Sequence, residues 1–354
     1  MIESIRAQLE ANGLSALIIT DLINLRYVTG LMISSGTLVI SQGEAVLFVD
    51  KRYDLLAKTH CPYLRVETGS LERINESITA LLRSIQGPIG FNGSSMSVDR
   101  YQGLLSQVPD VQLVSSSRFF AQLRRKKVPS EIERIERACQ LCEKGFSFIV
   151  DNLRVGVTEE ALSRAVKSFW FSQGADGIAF EPIIAFGANS ASPHWSPSST
   201  ALKDNSVVLI DIGVQVQGYN SDMTRTFFWG QPDRELLKYY SIVHGAYALA
   251  EQLAKPGVAP IDLDKSVREY FAEHGCEDKF IHGLGHGVGL ELHEAPRINS
   301  VFEHELPLIE GDVITIEPGL YIEGKGGIRI ESTFVVEQDR ARNLFSLPTE
   351  LRVV

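Results

Sequence analysis

Residues 156–174, GVTEEALSRAVKSFWFSQG, align without a gap on residues 257–275, GVAPIDLDKSVREYFAEHG. The shared anchors are Gly156/Gly257, Val157/Val258, Leu162/Leu263, Val166/Val267, Phe169/Tyr270 and Gly174/Gly275. Their spacing is that of an amphipathic helix with one apolar stripe, closed by a C-terminal glycine. Farther along, DNSVVLIDIG (204–213) parallels EGDVITIEPG (310–319), which aligns Asp211 with Glu317 and Gly213 with Gly319. A helix-then-strands unit that occurs twice, with a period too long for a solenoid, predicts a pseudo-symmetric α+β domain. The expected site lies between the halves, each contributing a matching acid.

VVLIDIG and VITIEPG are apolar runs interrupted by a carboxylate. Such an acid needs explaining, because an unpaired buried carboxylate is very costly. Each run is followed by a second strand. In YNSDMTRTFFW, alternation puts Asp222 on one face with Thr224 and Thr226. In GGIRIESTFVV it puts Glu331 with Arg329 and Thr333, while Ile328 and Ile330 face the other way. Asp211, Asp222, Glu317 and Glu331 are therefore expected in one interior. Separate ion pairs or edge positions would explain any one of these acids. Two pairs on matched hairpins favour a shared site, and like charges that close repel unless protons or metal ions neutralise them.

HGLGHGVGLELHE, residues 282–294, holds three of the eight histidines. A helical metal motif is excluded, because Gly283, Gly285, Gly287 and Gly289 occupy every second position and each costs up to about 1 kcal/mol in a helix. The alternation predicts a strand with His282, Leu284, His286, Val288 and Leu290 on one face. Glycines on the other face would let a strand or a substrate approach the backbone closely. Four carboxylates plus the His286 imidazole form a hard, oxygen-rich donor set suited to two ions of Mn, Co, Mg or Zn. Two such ions activate water without a serine or cysteine nucleophile.

Composition sets the frame. With 354 residues, 44% apolar and 22% charged, the chain is sized for two ordinary globular domains. A net charge of −10 argues against non-specific nucleic-acid binding. The sequence has no apolar run long enough to span a membrane and no signal-peptide pattern at its start, so a cytoplasmic setting is expected. The first 120 or so residues alternate short strands (ALIIT, GTLVI, AVLFVD, PIGFNG, VQLVS) with helical stretches, as in a small α/β domain. RRKK at 124–127 reads as a solvated connector, and Ser130 with Glu133 as a capping box opening the helix EIERIERACQLCEKGFSFIV. The expected division is 1–123 and 130–354. Cys139 and Cys142 fall inside that helix with no second pair to complete a zinc site, so helix packing is the better reading.

The order Asp211, Asp222, His286, Glu317, Glu331 resembles the five-ligand signature of the pita-bread metallopeptidases, which include prolidase, aminopeptidase P and methionine aminopeptidase, with creatinase as a non-metal relative. The stretches that carry the resemblance are ANSASPHW, DIGVQVQGYNSDMTRTF, HGLGHGVGLELHE, EPGLYI and GIRIEST, within residues 130–340. The N-terminal region resembles the small creatinase/prolidase-type domain that methionine aminopeptidases lack. GIRIE, with Arg329 two positions before Glu331, resembles the proline-specific branch. The resemblance implies that Asp211 chelates one of two divalent ions, that Asp222 and Glu331 bridge both, and that His286 and Glu317 hold the other. Mn is the first expectation, with Co or Zn as alternatives. It also implies that His194 and His293 position substrate and stabilise the oxyanion, with His282 and Arg329 beside the metals.

The activity so implied is hydrolysis of the bond before a proline at the second position of a peptide. Glu317 would shuttle the proton to the leaving nitrogen. The first reading is an Xaa-Pro aminopeptidase. The alternative is an Xaa-Pro dipeptidase, for which Arg297 could clamp the substrate carboxylate or equally be a surface arginine. A non-catalytic, creatinase-like binding protein ranks lower, because all five ligand positions are retained. The resemblance further implies a homodimer or higher homo-oligomer.

Overall fold

The computed structural model describes every residue of the chain except Glu303. The chain divides into two compact units, Met1–Arg124 and Arg125–Val354.

The first unit is one six-stranded sheet with helices on both faces. Its strands are β1 (Ala16–Ile19), β2 (Thr37–Ser41), β3 (Ala45–Asp50), β4 (Arg65–Gly69), β5 (Ile89–Phe91) and β6 (Leu113–Ser115), in the order β4-β3-β2-β1-β5-β6. The helices are α1 (Ile2–Leu9), α2 (Leu22–Thr29), α3 (Asp54–His60), α4 (Leu71–Ser84), α5 (Val98–Gln107) and α6 (Ser117–Arg125). The two-residue strand period explains why β1 is apolar throughout. Leu17 and Ile19 join one core with Leu38, Leu47 and Phe120, while Ala16 and Ile18 join a second with Val39, Phe48 and Phe91. Five of these strands are visible as apolar runs. β4, RVETG, is not, because three of its five residues are only half-buried and one is exposed.

In the second unit, α7 (Pro129–Asp151) starts one residue before the expected capping box. Pro129 presets the helical φ and has no N–H to lose at the first position. The Glu131 carboxylate accepts the Val128 N–H at 2.9 Å, and Glu133 pairs instead with Arg137 one turn later at 2.6 Å. The basic run before it is not solvated, which corrects the sequence reading. Arg125 is 1% exposed and grips Asp312 through Nε (2.8 Å) and Nη2 (2.6 Å), while the buried Lys127 pairs with Glu294 at 2.6 Å. Asp312 lies 187 positions along the chain, beyond the reach of local sequence reasoning.

The duplication holds at the level of backbone. Helices α8 (Glu159–Ser172) and α9 (Arg234–Leu253) are followed by α10 (Pro260–Glu273). Both α8 and α10 begin three residues after a left-handed glycine, Gly156 at φ +89° and Gly257 at φ +90°. Both end against a second, Gly174 at φ +88° and Gly275 at φ +67°.

The strands of the first half are β7 (Gly177–Ile178), β8 (Ile183–Phe186), β9 (Ser206–Ile212), β10 (Val214–Val216), β11 (Tyr219–Asn220) and β12 (Met223–Trp229). Those of the second are β13 (Gly285–Gly287), β14 (Glu294–Ile298), β15 (Val313–Ile316), β16 (Gly319–Ile322), β17 (Gly326–Arg329), β18 (Ser332–Val336) and β19 (Ala341–Asn343). β9 runs antiparallel to β12 with Asp211 opposite Thr224, and β15 runs antiparallel to β18 with Ile316 opposite Ser332. The hairpins meet edge to edge: Glu331 N–H donates to Thr224 O (3.0 Å), and Thr333 Oγ1 donates to Asp222 O (2.9 Å). Behind them, Val243, Tyr247, Leu263 and Phe271 of α9 and α10 pack on Ile314, Ile316, Ile328 and Phe334.

The expected strand over 282–290 is shorter than its alternation suggests. Only Gly285–Gly287 pairs, and a register shift follows His286. β13 lies between β14 and β15, and both come very close. A Cβ on Gly285 would lie 2.2 Å from Thr315 O, and one on Gly287 would lie 2.2 Å from Ala295 O. The glycines serve backbone approach, as expected.

Candidate metal centre

Asp211 near the end of β9, Asp222 before β12, Glu317 after β15 and Glu331 before β18 bring four carboxyls to the meeting point of the hairpins. Asp211, Asp222 and Glu331 are at most 8% exposed. Burial pushes all four above their ordinary values. Glu331 rises to about 8, and Asp222 and Glu317 rise well above the carboxylate range, reinforced by the neighbouring acids. A group of anions this crowded holds protons or cations at neutral pH.

His286 sits on β13 facing them. Its Nδ1 lies 3.0 Å from Gly287 O, an atom that can only accept, so the ring proton resides on Nδ1 and Nε2 carries the lone pair. Nε2 stands 3.6 Å from Asp222 Oδ2 and 3.5 Å from Glu317 Oε1. Desolvation, with His293 beside it, lowers the pKa of His286 to about 3, so the ring is neutral. Donor atoms of Asp222, His286 and Glu331 all lie within 4.8 Å of one another. Two ligand atoms each about 2.1 Å from one cation at a tetrahedral angle stand about 3.4 Å apart. The spacing is too long for good hydrogen bonds and suits shared coordination.

Around this group runs a chain of donors. Arg329, 3% exposed, donates from Nη2 to Asp211 Oδ2, from Nε to Thr224 Oγ1 (3.0 Å) and from Nη1 to the Tyr321 hydroxyl (2.7 Å). His282 Nδ1 faces Gly283 O at 2.8 Å, which leaves Nε2 to accept from the Tyr321 hydroxyl at 2.9 Å. Burial and the nearby arginine lower His282 to about 4, and burial raises Tyr321 to about 12. Thr224 Oγ1 in turn donates to Glu331 Oε2 at 2.6 Å. Asp211 Oδ1 is buried with no hydrogen bond.

The remaining sequence candidates lie at the rim. The His293 ring meets His286 edge-on at 4.2 Å between centroids, and His293 is itself exposed. Burial first, then the charges of His194 and Arg297, lowers its pKa. His194 is exposed, in a loop whose Pro193 carbonyl accepts from Arg329 Nη2 at 3.4 Å. Arg297, exposed on β14, is opposite His286 in register, and its guanidinium lies 4.8 Å from the Phe302 ring centre. Sequence reasoning missed Tyr321, Thr315 and the buried acids of α8 and α10. Tyr321 was signalled by a large polar residue four positions after Glu317. Thr315 Oγ1, which accepts the His286 N–H at 3.0 Å, was signalled only by a threonine inside an apolar strand.

The profile of metallopeptidase family M24 matches residues 133–338, and that of the creatinase/prolidase N-terminal domain matches residues 1–126. An Xaa-Pro dipeptidase of Pyrococcus furiosus is 34% identical over 97% of this chain and 97% of its own length. The structure of an Xaa-Pro dipeptidase from Bacillus anthracis superposes with a TM-score of 0.94 at 30% identity, covering 100% of this chain and 99% of that one. That of an X-Pro aminopeptidase from Thermotoga maritima superposes with a TM-score of 0.89 at 31% identity, covering 100% and 99%.

Proposed function

The chain belongs to metallopeptidase family M24, with a creatinase-type N-terminal domain and a pita-bread catalytic domain, and on that premise we propose that it is an Xaa-Pro dipeptidase. The observation that carries a metal-dependent hydrolysis is the cluster of Asp222, His286 and Glu331 with Asp211 and Glu317 around it. The donor set fits divalent cations: it is oxygen-rich, with one imidazole lone pair and the buried, unbonded Asp211 Oδ1. Asp211, Asp222, His286, Glu317 and Glu331 would hold two ions. The chemistry such ions supply is Lewis acidity, which acidifies water and polarises the scissile carbonyl.

The chain's own groups do the rest. The Glu317 carboxylate would take a proton from the attacking water and pass it to the leaving proline nitrogen. Exposed His194 and His293 would donate hydrogen bonds to the oxygen on which charge develops. Arg329 fixes Asp211 by a charge-assisted bond, and Tyr321 links Arg329 to His282.

Of the two exopeptidase readings, the sequence puts the aminopeptidase first. The order is reversed here because the closely matching relatives described above include two named Xaa-Pro dipeptidases against one aminopeptidase. Arg297, opposite His286 in register, suits the free carboxylate of a dipeptide. Hydrolysis of an Xaa-Pro dipeptide and an Xaa-Pro tripeptide by Mn-loaded protein tests this. Faster tripeptide turnover would reject the dipeptidase, and no turnover of either would reject the proline-directed reading. Manganese as the native ion, self-association and a cytoplasmic setting belong to the same reading. Metal analysis, sedimentation and cell fractionation check them. Among the described residues no helix is long and apolar enough to cross a membrane.

A further inference from the structure

Glu159, the first residue of α8, is 0% exposed, and both of its oxygens are committed to one segment of chain. Oε1 accepts from Phe186 N (2.8 Å) and Asn189 Nδ2 (2.9 Å). Oε2 accepts from Trp195 Nε1 (2.9 Å), Ser198 N (3.0 Å) and Ser198 Oγ (2.8 Å). All five partners are neutral donors. A buried carboxylate is tolerated when its lone pairs are filled in this way, and each such bond is stronger than one between neutral groups.

The tethered segment is the loop that carries His194. On one side of His194, the Pro193 carbonyl is held by Arg329; on the other, the Trp195 indole is held by Glu159. His194 to Pro197 also wall a cavity of about 500 Å³, whose other sides include Glu160, Arg164 and Lys167 of α8. The second half has a counterpart. Asp264 of α10, also 0% exposed, accepts from Leu284 N (2.9 Å) and Ser300 N (2.9 Å) on either side of the strand that carries His286. Each repeated helix thus uses a buried acid to hold a histidine-bearing segment, although the two acids are not at aligned positions.

We propose that Glu159 is a positioning residue: its carboxylate fixes the loop 186–198 and so sets where the His194 imidazole stands. The consequence for turnover rests on the peptidase reading above; the tether itself does not. Glu159→Gln is the test, because the side chain keeps its shape while one oxygen becomes an NH2. In either orientation that NH2 faces at least two N–H groups, so the tether breaks.

In metal-loaded protein, amide exchange in residues 186–198 should rise about tenfold or more. kcat on an Xaa-Pro dipeptide should fall about thirtyfold with KM and metal stoichiometry nearly unchanged, since small misplacements of catalytic groups cost on this scale. In a His194→Ala background the further loss should be under about threefold, because the two residues act as one. Trp195→Phe, which removes a single donor, should shift exchange and kcat in the same direction by less, and it serves if the glutamine variant fails to fold. Unchanged exchange in both variants, or a full thirtyfold loss on top of His194→Ala, overturns the proposal. If the unmutated protein cleaves no Xaa-Pro peptide, the peptidase reading fails separately, and the exchange measurement alone decides whether Glu159 holds the loop.

Discussion

Arg329 Nη2 donates to Asp211 Oδ2, while Oδ1 of the same carboxylate is buried without a hydrogen bond. The protein satisfies one oxygen and gives the other no hydrogen-bond partner. Arg329 thereby ties Asp211 to the hairpin of β16 and β17.

Arg329→Lys should therefore fail despite keeping the charge. One ammonium cannot reach Thr224 Oγ1, the Tyr321 hydroxyl and Asp211 Oδ2 together. Leaving a buried hydrogen-bonding partner unmet costs about 1–3 kcal/mol, so calorimetry should show a clear drop in Tm and kcat/KM should fall about a hundredfold. An unchanged Tm would show that the guanidinium network contributes little.

The metal-free protein should lose stability as pH rises. Glu331 has its carboxyl shifted from the ordinary 4.5 to about 8 by burial and by Asp211. Between those values the folded chain keeps a proton that the unfolded chain releases, so this contribution is present below about 4.5 and is lost as pH climbs to about 8. The slope contributed by one such group is at most about 1.4 kcal/mol per pH unit. Urea titrations of apo protein across this range should be flatter for Glu331→Gln than for the parent chain. Metal-loaded parent protein should show the opposite trend, because ligands must ionise to bind. Identical apo slopes would sink the account.

Arg297→Ala separates the two exopeptidase readings at the level of one residue. Loss of a carboxylate clamp should raise KM for an Xaa-Pro dipeptide about tenfold or more and leave an Xaa-Pro tripeptide almost untouched. Equal effects on both substrates would return Arg297 to an exposed arginine resting on Phe302.

Gly285→Ala tests why the histidine segment is rich in glycine. The added methyl would meet Thr315 O at 2.2 Å, and that backbone belongs to β15 and cannot swing away as a side chain would. Separation of β13 from β15 should cost about 1–3 kcal/mol and move His286 off its partners. Calorimetric titration should then show weaker Mn binding. Parent-like stability and binding would mean that the contact relaxes without consequence.

The catalytic unit's organisation could be read from the chain because its signals are local and periodic. The paired runs at 156–174 and 257–275 became α8 and α10 between left-handed glycines, and VVLIDIG and VITIEPG became β9 and β15, each with an acid at its end. Alternation also placed Thr224 beside the acids, where it bonds Glu331. What the chain alone did not reveal depends on partners far along it. RRKK looks like a solvated connector until Asp312 and Glu294 arrive to bury Arg125 and Lys127. Glu159 looks like an ordinary acid in a helix's first turn until the loop 186–198 closes over it. Tyr321 gains its place between Arg329 and His282 only once β16 and β17 pair. Periodicity reports which face of an element is dry. The position of a charge relative to another's lone pairs is decided when distant segments pack, since the cost of burying it is met only by that contact.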